Sequence, residues 1–151
     1  MSRNAVPVLS EKLKAALHQA AVAEVQAIAI YQAEVFWIRK KERAQILQQI
    51  LVEERSHGSF LAHWSRPSPS VIVFNRVSGW ALGTFLALLP WSWLCRIQAW
   101  AETQAQEIYL RAMEVAKSEA LGEDRDDLIR GLLHSAESEG MHSNTFKAPQ
   151  N

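Results

Sequence analysis

The sequence contains a single cysteine, Cys95, so no disulfide can form within the chain. A lone thiol favours a reducing compartment, because disulfides are typical of small secreted domains. An excess of one charge is also missing, since 16 basic residues balance 16 acidic residues and leave a formal net charge of zero. Phosphate binding needs a concentrated basic surface, so this balance argues against a nucleic acid partner.

Signals for export and for β-strands are missing as well. The first seven residues lack the apolar core of a signal peptide, which predicts a cytoplasmic protein. No segment has the alternating pattern of an amphipathic strand. A chain of 151 residues, 48% of them apolar, is long enough for one domain with a core and too short for two. We therefore predict a single all-α domain over residues 1–151.

Helix start and stop signals indicate four long helices and one short apolar helix. Ser10 is a suitable N-cap for the first helix. The second should end before Pro67 and Pro69, because proline cannot continue a helix. The run Arg39–Lys41 marks the turn between them. The predicted bundle helices cover about residues 10–38, 44–64, 91–120 and 124–144, with the apolar helix at 71–89, closed by Pro90.

The chain repeats itself. Residues 23–31 can be aligned with residues 101–109, and the alignment has alanine, glutamate, glutamine, isoleucine and tyrosine at the same positions. Each copy is followed by a Glu-x-x-His motif, at 54–57 after the first copy and at 139–142 after the second. Two copies of a helix pair, each unable to bury its apolar face alone, predict a four-helix bundle with approximate two-fold symmetry.

The repeated residues form a candidate metal site. In a helix, residues three apart lie about 60° apart, so both side chains of a Glu-x-x-His can reach one point. Two such motifs, with one glutamate from each remaining helix, form the ligand set of ferritin-like di-iron proteins. Carboxylates can bridge two cations, and neutral imidazoles suit iron. The predicted ligands are Glu24, Glu54, His57, Glu102, Glu139 and His142.

A single Glu-x-x-His is usually a solvated surface pair, so the prediction depends on the full ordered set. Glu24 supports it, because this glutamate lies among alanines and isoleucines where a charge is costly unless paired or metal-bound. The remaining acidic and histidine residues near the motifs lack the spacing and are interpreted as solvated or as neighbours of the ligands. They are Glu53, Glu107, Glu137, His18, His63 and His134.

Tyr31 and Tyr109 each lie seven residues after a predicted ligand glutamate, so both should face the bundle interior. Two interpretations stay open for them. They are core tyrosines with satisfied hydroxyl groups, or they act catalytically in redox chemistry or in positioning a substrate.

These motifs resemble the demethoxyubiquinone hydroxylase family of ubiquinone biosynthesis, from about residue 17 to 142. The family has glutamate followed two turns later by Ile-Tyr, then Glu-x-x-His and phenylalanine, as at Glu24, Ile30-Tyr31, 54–57 and Phe60. Its Arg-Pro and its Asn-x-x-Gly-x-Ala-Leu-Gly segment are matched at 66–67 and 75–83. Metal binding does not require this last match, which makes it the most specific one. Ile108 stands where the family usually has histidine.

The resemblance implies a ferritin-like di-iron monooxygenase that hydroxylates a quinone-type aromatic ring. It implies two iron ions, dioxygen, a hydrophobic quinone-like substrate, and electrons from NAD(P)H or a redox partner. The alternative is a ferritin-like di-iron protein that acts in peroxide or iron handling. A third interpretation is a metal-free, membrane-associated bundle.

The apolar segment at residues 71–90 carries one charged residue, Arg76, and has tryptophans around it. It is short for a spanning helix, and tryptophan prefers the membrane interface, which favours peripheral contact through residues 71–93 with the inner face of the cell membrane. A core helix or a homodimer interface is the competing interpretation.

Overall fold

The computed structural model describes residues 9–119 and 124–148, which form five α-helices and contain no strand. The helices are α1 Glu11–Trp37, α2 Lys41–Trp64, α3 Pro69–Ala87, α4 Trp91–Lys117 and α5 Asp124–Lys147. The four long helices α1, α2, α4 and α5 form a ferritin-like bundle, and α3 is the additional apolar helix. The all-α prediction and the place of the apolar helix are therefore confirmed.

Most predicted helix ends lie within three residues of the observed ends. Ser10 is the N-cap of α1, and its Oγ accepts the backbone N–H of Leu13 at 3.1 Å. The turn after α1 covers residues 38–40, so α2 begins three residues before the predicted start at Ala44. Residues 1–8 and the predicted end of the third bundle helix at Ala120 lie outside the described residues.

The bundle core has two apolar layers with polar side chains between them. One cluster includes Leu13, Leu17 and Leu132, and the other includes Leu47 and Phe146. Helix α1 packs against α2 and α4, α4 packs against α5, and α2 contacts α5. All four bundle helices therefore contribute to the region between the two clusters.

Helix α3 packs along α1 on the outside of the bundle, and two glycines allow the close approach. A Cβ atom at Gly79 would lie 2.7 Å from the backbone oxygen of Gln26, and one at Gly83 would lie 2.3 Å from that of Ile30. The side chain of Trp37 donates a hydrogen bond to Thr84 Oγ1 at 3.1 Å. Because α3 follows α1 over this length, the two helices form one unit.

We expect Gly83→Ala to lower the free energy of unfolding by about 1–3 kcal/mol, because the new methyl group meets rigid backbone of α1. Urea denaturation of the metal-free protein measures this effect. Gly140→Ala is the control, since its Cβ would meet only the flexible end of Gln106, and alanine favours the helix. Equal stability of the Gly83 variant and the wild type would contradict the close α1–α3 contact.

Candidate metal centre

The structure brings the six predicted ligands together between the two apolar clusters. Glu24 comes from α1, Glu54 and His57 from α2, Glu102 from α4, and the Glu139 motif from α5. All six residues are buried, with at most 4% of their surface exposed. The rings of the two motif histidines lie with their centroids 6.3 Å apart. His18, His63, His134, Glu107 and Glu137 are all exposed.

The ligand atoms fall into two overlapping groups. The members of each group offer one ligand atom apiece, and these atoms lie within 4.8 Å of one another. Glu54 and Glu139 belong to both groups. The first group adds Glu24 and His57, and the second adds Glu102 and His142. Two cations could therefore be held side by side, with two carboxylates shared between them.

The donor atoms present fit a metal ion better than they fit one another. Several deeply buried atoms have no hydrogen-bond partner, among them His57 Nδ1, His142 Nδ1 and both carboxylate oxygens of Glu139. His57 Nδ1 lies 3.0 Å from Glu139 Oε1, and His142 Nδ1 lies 3.2 Å from Glu54 Oε1. Buried polar groups without partners are costly, and two cations, one in each ligand group, would satisfy these atoms.

The pKa shifts differ between the candidate ligands: burial raises the pKa of three glutamates and lowers that of His57, whereas for His142 the effect of burial is outweighed by neighbouring carboxylates, which raise its pKa. Burial and then neighbouring carboxylates raise the pKa of Glu54 to about 8 and that of Glu139 to about 10. Burial likewise raises the pKa of Glu24 well above its usual range. Burial lowers the pKa of His57 to about 4, so its imidazole is neutral at pH 7 and free to act as a ligand. A cation among these carboxylates would oppose the repulsion that keeps them protonated.

Glu53, which the sequence left open as either a solvated residue or a neighbour of the ligands, contacts the candidate ligand His142. Its half-exposed carboxylate lies 2.9 Å from His142 Nε2 and accepts a hydrogen bond from Ser138 Oγ at 2.7 Å. His142 therefore presents Nδ1 to the centre while its other nitrogen is held by a carboxylate. Such a contact fixes the ring orientation of a metal-binding histidine and raises its basicity.

Each of the two tyrosines forms a hydrogen bond with a glutamate in the other half of the repeat. The Tyr31 hydroxyl of α1 donates to Glu102 of α4, and the Tyr109 hydroxyl of α4 donates to Glu24 of α1 at 2.5 Å. Both tyrosines are fully buried, and burial raises the pKa of each well above 10. Both hydroxyl groups therefore have a hydrogen-bond partner, and in each case the partner is a candidate ligand.

A groove of about 190 Å³ lies between α1 and α4 and opens onto the centre. Alanines from both helices form much of its walls, and Ile30, Ile108 and Trp100 also line it. Four candidate ligands and both tyrosines line the groove, namely Glu24, Glu54, Glu102, Glu139, Tyr31 and Tyr109. A small apolar molecule could therefore reach the ligand carboxylates from outside the bundle.

Glu34 is a buried acidic residue that the sequence motifs did not reveal. It lies on α1 three residues after Tyr31, and Gln98 Nε2 donates to its Oε1 at 2.7 Å. Its other oxygen is buried without a hydrogen-bond partner. The three-residue spacing from Tyr31 was the available signal, because it places Glu34 on the inner side of α1.

We expect Glu34→Gln to stabilise the metal-free protein at pH 8 and to have much less effect at pH 4.5. Burial raises the pKa of Glu34 from 4.5 to about 8. The folded state then holds this proton more tightly than the unfolded state, so stability is lost as pH rises from about 4.5 to 8. Urea denaturation at both pH values measures the difference, with exposed Glu107→Gln as control. A pH-independent difference would contradict a buried, protonated Glu34.

Residues 11–148 match the model of the family described as ubiquinone biosynthesis protein COQ7. No curated protein and no solved structure matched the chain. The family match covers all five helices and every candidate ligand. Its description agrees with the resemblance carried by the two glutamate–histidine motifs and by the segment at residues 75–83. The chain therefore belongs to the COQ7 family of ubiquinone biosynthesis proteins, a family that implies an enzymatic role in making ubiquinone.

Proposed function

We propose that the protein is a di-iron monooxygenase that hydroxylates a quinone-type aromatic ring. The observation that carries this proposal is the pair of overlapping four-ligand groups, which share Glu54 and Glu139 and open onto an apolar groove. Hydroxylation with dioxygen needs two electrons and two protons, and gives the hydroxylated ring and one water. The electrons would come from NAD(P)H or from a redox partner.

The composition of the groove supports an apolar ring substrate. Eight alanine, isoleucine and tryptophan side chains line it together with three glutamines, and the carboxylates and tyrosine hydroxyls of the centre complete the lining. Binding sites for small organic molecules are typically apolar with a few polar groups that fix orientation. A flat ring between α1 and α4 would displace water from the carboxylates and present an edge to the centre.

The residues of the chain have separable roles in this proposal. Glu54 and Glu139 would be shared between the two ions, while Glu24 with His57 would hold one ion and Glu102 with His142 the other. When bound, two iron ions would supply the activation of dioxygen and the transfer of one oxygen atom. Tyr31 and Tyr109 hold the terminal carboxylates Glu102 and Glu24 in position through hydrogen bonds. The apolar walls exclude water from the reacting ring.

The test is anaerobic reconstitution with ferrous iron, followed by an assay with a short-tailed demethoxyquinol, a reductant and isotopically labelled dioxygen. We expect about two irons per chain and a product that carries one labelled oxygen atom. Iron loading without a labelled product would overturn the hydroxylase proposal. Rapid loss of hydrogen peroxide in that case would favour the peroxide-handling alternative.

We also propose that α3 lies in the membrane interface. Its outward side exposes Val73, Phe74, Val77 and Phe85, and Leu88 is exposed directly after its end. By length and composition α3 could cross a membrane, but it packs along α1 through Gly79 and Gly83, which favours a helix lying in one leaflet. No acidic residue occurs from residue 55 to residue 101, whereas four arginines do. This charge pattern suits the anionic inner face of a cell membrane.

Flotation with lipid vesicles tests the membrane proposal. Phe74→Asp combined with Phe85→Asp should abolish flotation, because both exposed rings would be replaced by charges. Glu42→Gln is a control at an exposed position of α2. A stable dimer that does not float would assign the exposed side of α3 to a second copy of the chain and overturn the proposal.

A further inference from the structure

A second groove, which we call the cationic groove, lies at the end of the bundle where α2 and α4 begin and α5 ends. Its volume is about 860 Å³. Three cationic side chains line it, each from a different helix: Arg43 of α2, Arg96 of α4 and Lys147 of α5. The other walls include Trp91 and Phe146. No acidic side chain is among the described residues that line it.

The three cations are available for an anion. Within residues 9–119 and 124–148, the four ion pairs formed by lysine or arginine involve Lys14, Arg111, Lys117 and Arg130, and none involves these three. The Arg43 guanidinium lies over the Trp91 ring, 5.0 Å from its centroid, which fixes the direction of its charge. The hydroxyl group of Ser92 also lines the groove, whereas Thr103 Oγ1 donates to the backbone oxygen of Ala99 at 2.9 Å. Such a set of donors suits a phosphate group.

The surroundings favour a lipid phosphate over a phosphate in solution. Trp100 lines both the cationic groove and the groove that opens onto the metal centre. Trp93 and Trp100 are exposed on α4, and Leu88 is exposed at the end of α3. Aromatic side chains at the edge of a cationic site are typical of the level of lipid headgroups. A free anion would not require this apolar margin.

We infer that the cationic groove binds the phosphate of an anionic phospholipid. The inference rests on the membrane contact proposed above and gives that contact a defined headgroup site. With a lipid phosphate on Arg43, Arg96 and Lys147, its acyl chains extend over Trp93 and Trp100. Trp100 separates this lipid from the opening of the apolar groove, so the bound headgroup places that opening at the bilayer surface. A substrate with a long apolar tail could then enter from the lipid.

The test is co-sedimentation of the full chain with vesicles of phosphatidylcholine alone and of phosphatidylcholine with phosphatidylglycerol. Arg96→Gln with Lys147→Gln should weaken binding to the anionic vesicles roughly 25-fold, at about fivefold for each cation removed. The control, Arg111→Gln with Lys117→Gln, removes the same charge from exposed positions elsewhere on α4. It should change binding less than about twofold, which is about the smallest change that the assay resolves. Circular dichroism of each variant checks that it folds.

Three outcomes would overturn the inference. Equal binding of the wild type to both kinds of vesicle would show that no anionic headgroup is recognised. An equal loss in both double variants would show that only net charge matters. Binding of inorganic phosphate in solution as tightly as binding to anionic vesicles, at constant ionic strength, would show that the groove takes a free anion.

Vesicle binding requires no turnover, so its failure can be distinguished from failure of the proposed hydroxylase. Hydroxylation of a short-tailed quinol in detergent that proceeds without vesicle binding rejects the lipid site alone. Vesicle binding by a protein that takes up iron but forms no hydroxylated product rejects the hydroxylase and keeps the lipid site. The two measurements therefore test the two statements separately.

Discussion

We expect Glu54→Ala to bind less than one iron per chain. Its rate of hydroxylation should fall by more than about 100-fold, because removing only a hydrogen-bond partner of a metal ligand already costs up to about that much. Glu54 belongs to both four-ligand groups, so its removal takes an oxygen from each side of the centre. Glu24 belongs to one group only, and Glu24→Ala should retain about one iron per chain. Iron content and product formation are measured on the same reconstituted samples.

The loss in Glu54→Ala should not arise from unfolding. Glu54 is buried beside other carboxylates, and its removal relieves repulsion in the metal-free state. We therefore expect the melting temperature of the metal-free variant to stay near or above that of the wild type. Glu42→Ala on the same helix is exposed and should change neither iron content nor turnover. Two irons per chain in Glu54→Ala would contradict a bridging role.

The second large effect is expected from Ala105→Phe, which should lower kcat/KM for the quinol about a hundredfold. Ala105 lines the groove between α1 and α4, and a phenyl ring there would fill much of its 190 Å³. Ala105 offers no ligand atom, so iron content should remain that of the wild type. Steady-state kinetics with short-tailed quinol and iron analysis together measure the two quantities.

Ala105→Phe also distinguishes the two candidate chemistries. Hydrogen peroxide is much smaller than a quinone ring, so a peroxide-handling protein would keep its activity when the groove is filled. Ala15→Phe on the exposed side of α1 is the matched control, because it adds the same ring away from the groove. Unchanged quinol hydroxylation in Ala105→Phe would mean that the substrate reaches the centre by another route.

The repeated motifs made most of the centre predictable from the sequence. Glutamates and histidines at helical spacing must share a helix face, and an apolar background around Glu24 indicated that this face is internal. The apolar helix was predictable for a similar reason, because the segment between Pro69 and Pro90 carries one charge and is too apolar for a solvated loop. In both cases local spacing and composition were sufficient.

Contacts between helices were not predictable in this way. The bond from Gln98 to Glu34 joins α4 to α1, and the contact of Glu53 with His142 joins α2 to α5. Each depends on how one helix is rotated about its axis relative to another, which no spacing within a single helix determines. The break at residues 38–40 differs from these contacts, because the basic run at residues 39–41 predicted it to within one residue although the turn has neither glycine nor proline.

The exchanged tyrosine bonds make the two halves of the chain dependent on each other. Each half supplies the hydroxyl that holds the terminal glutamate of the other half. A change at Tyr31 therefore acts on Glu102 of the second half, and a change at Tyr109 acts on Glu24 of the first. Neither helix pair is therefore complete by itself, because separating the two would leave each tyrosine hydroxyl and each glutamate without the partner that it has in the whole chain.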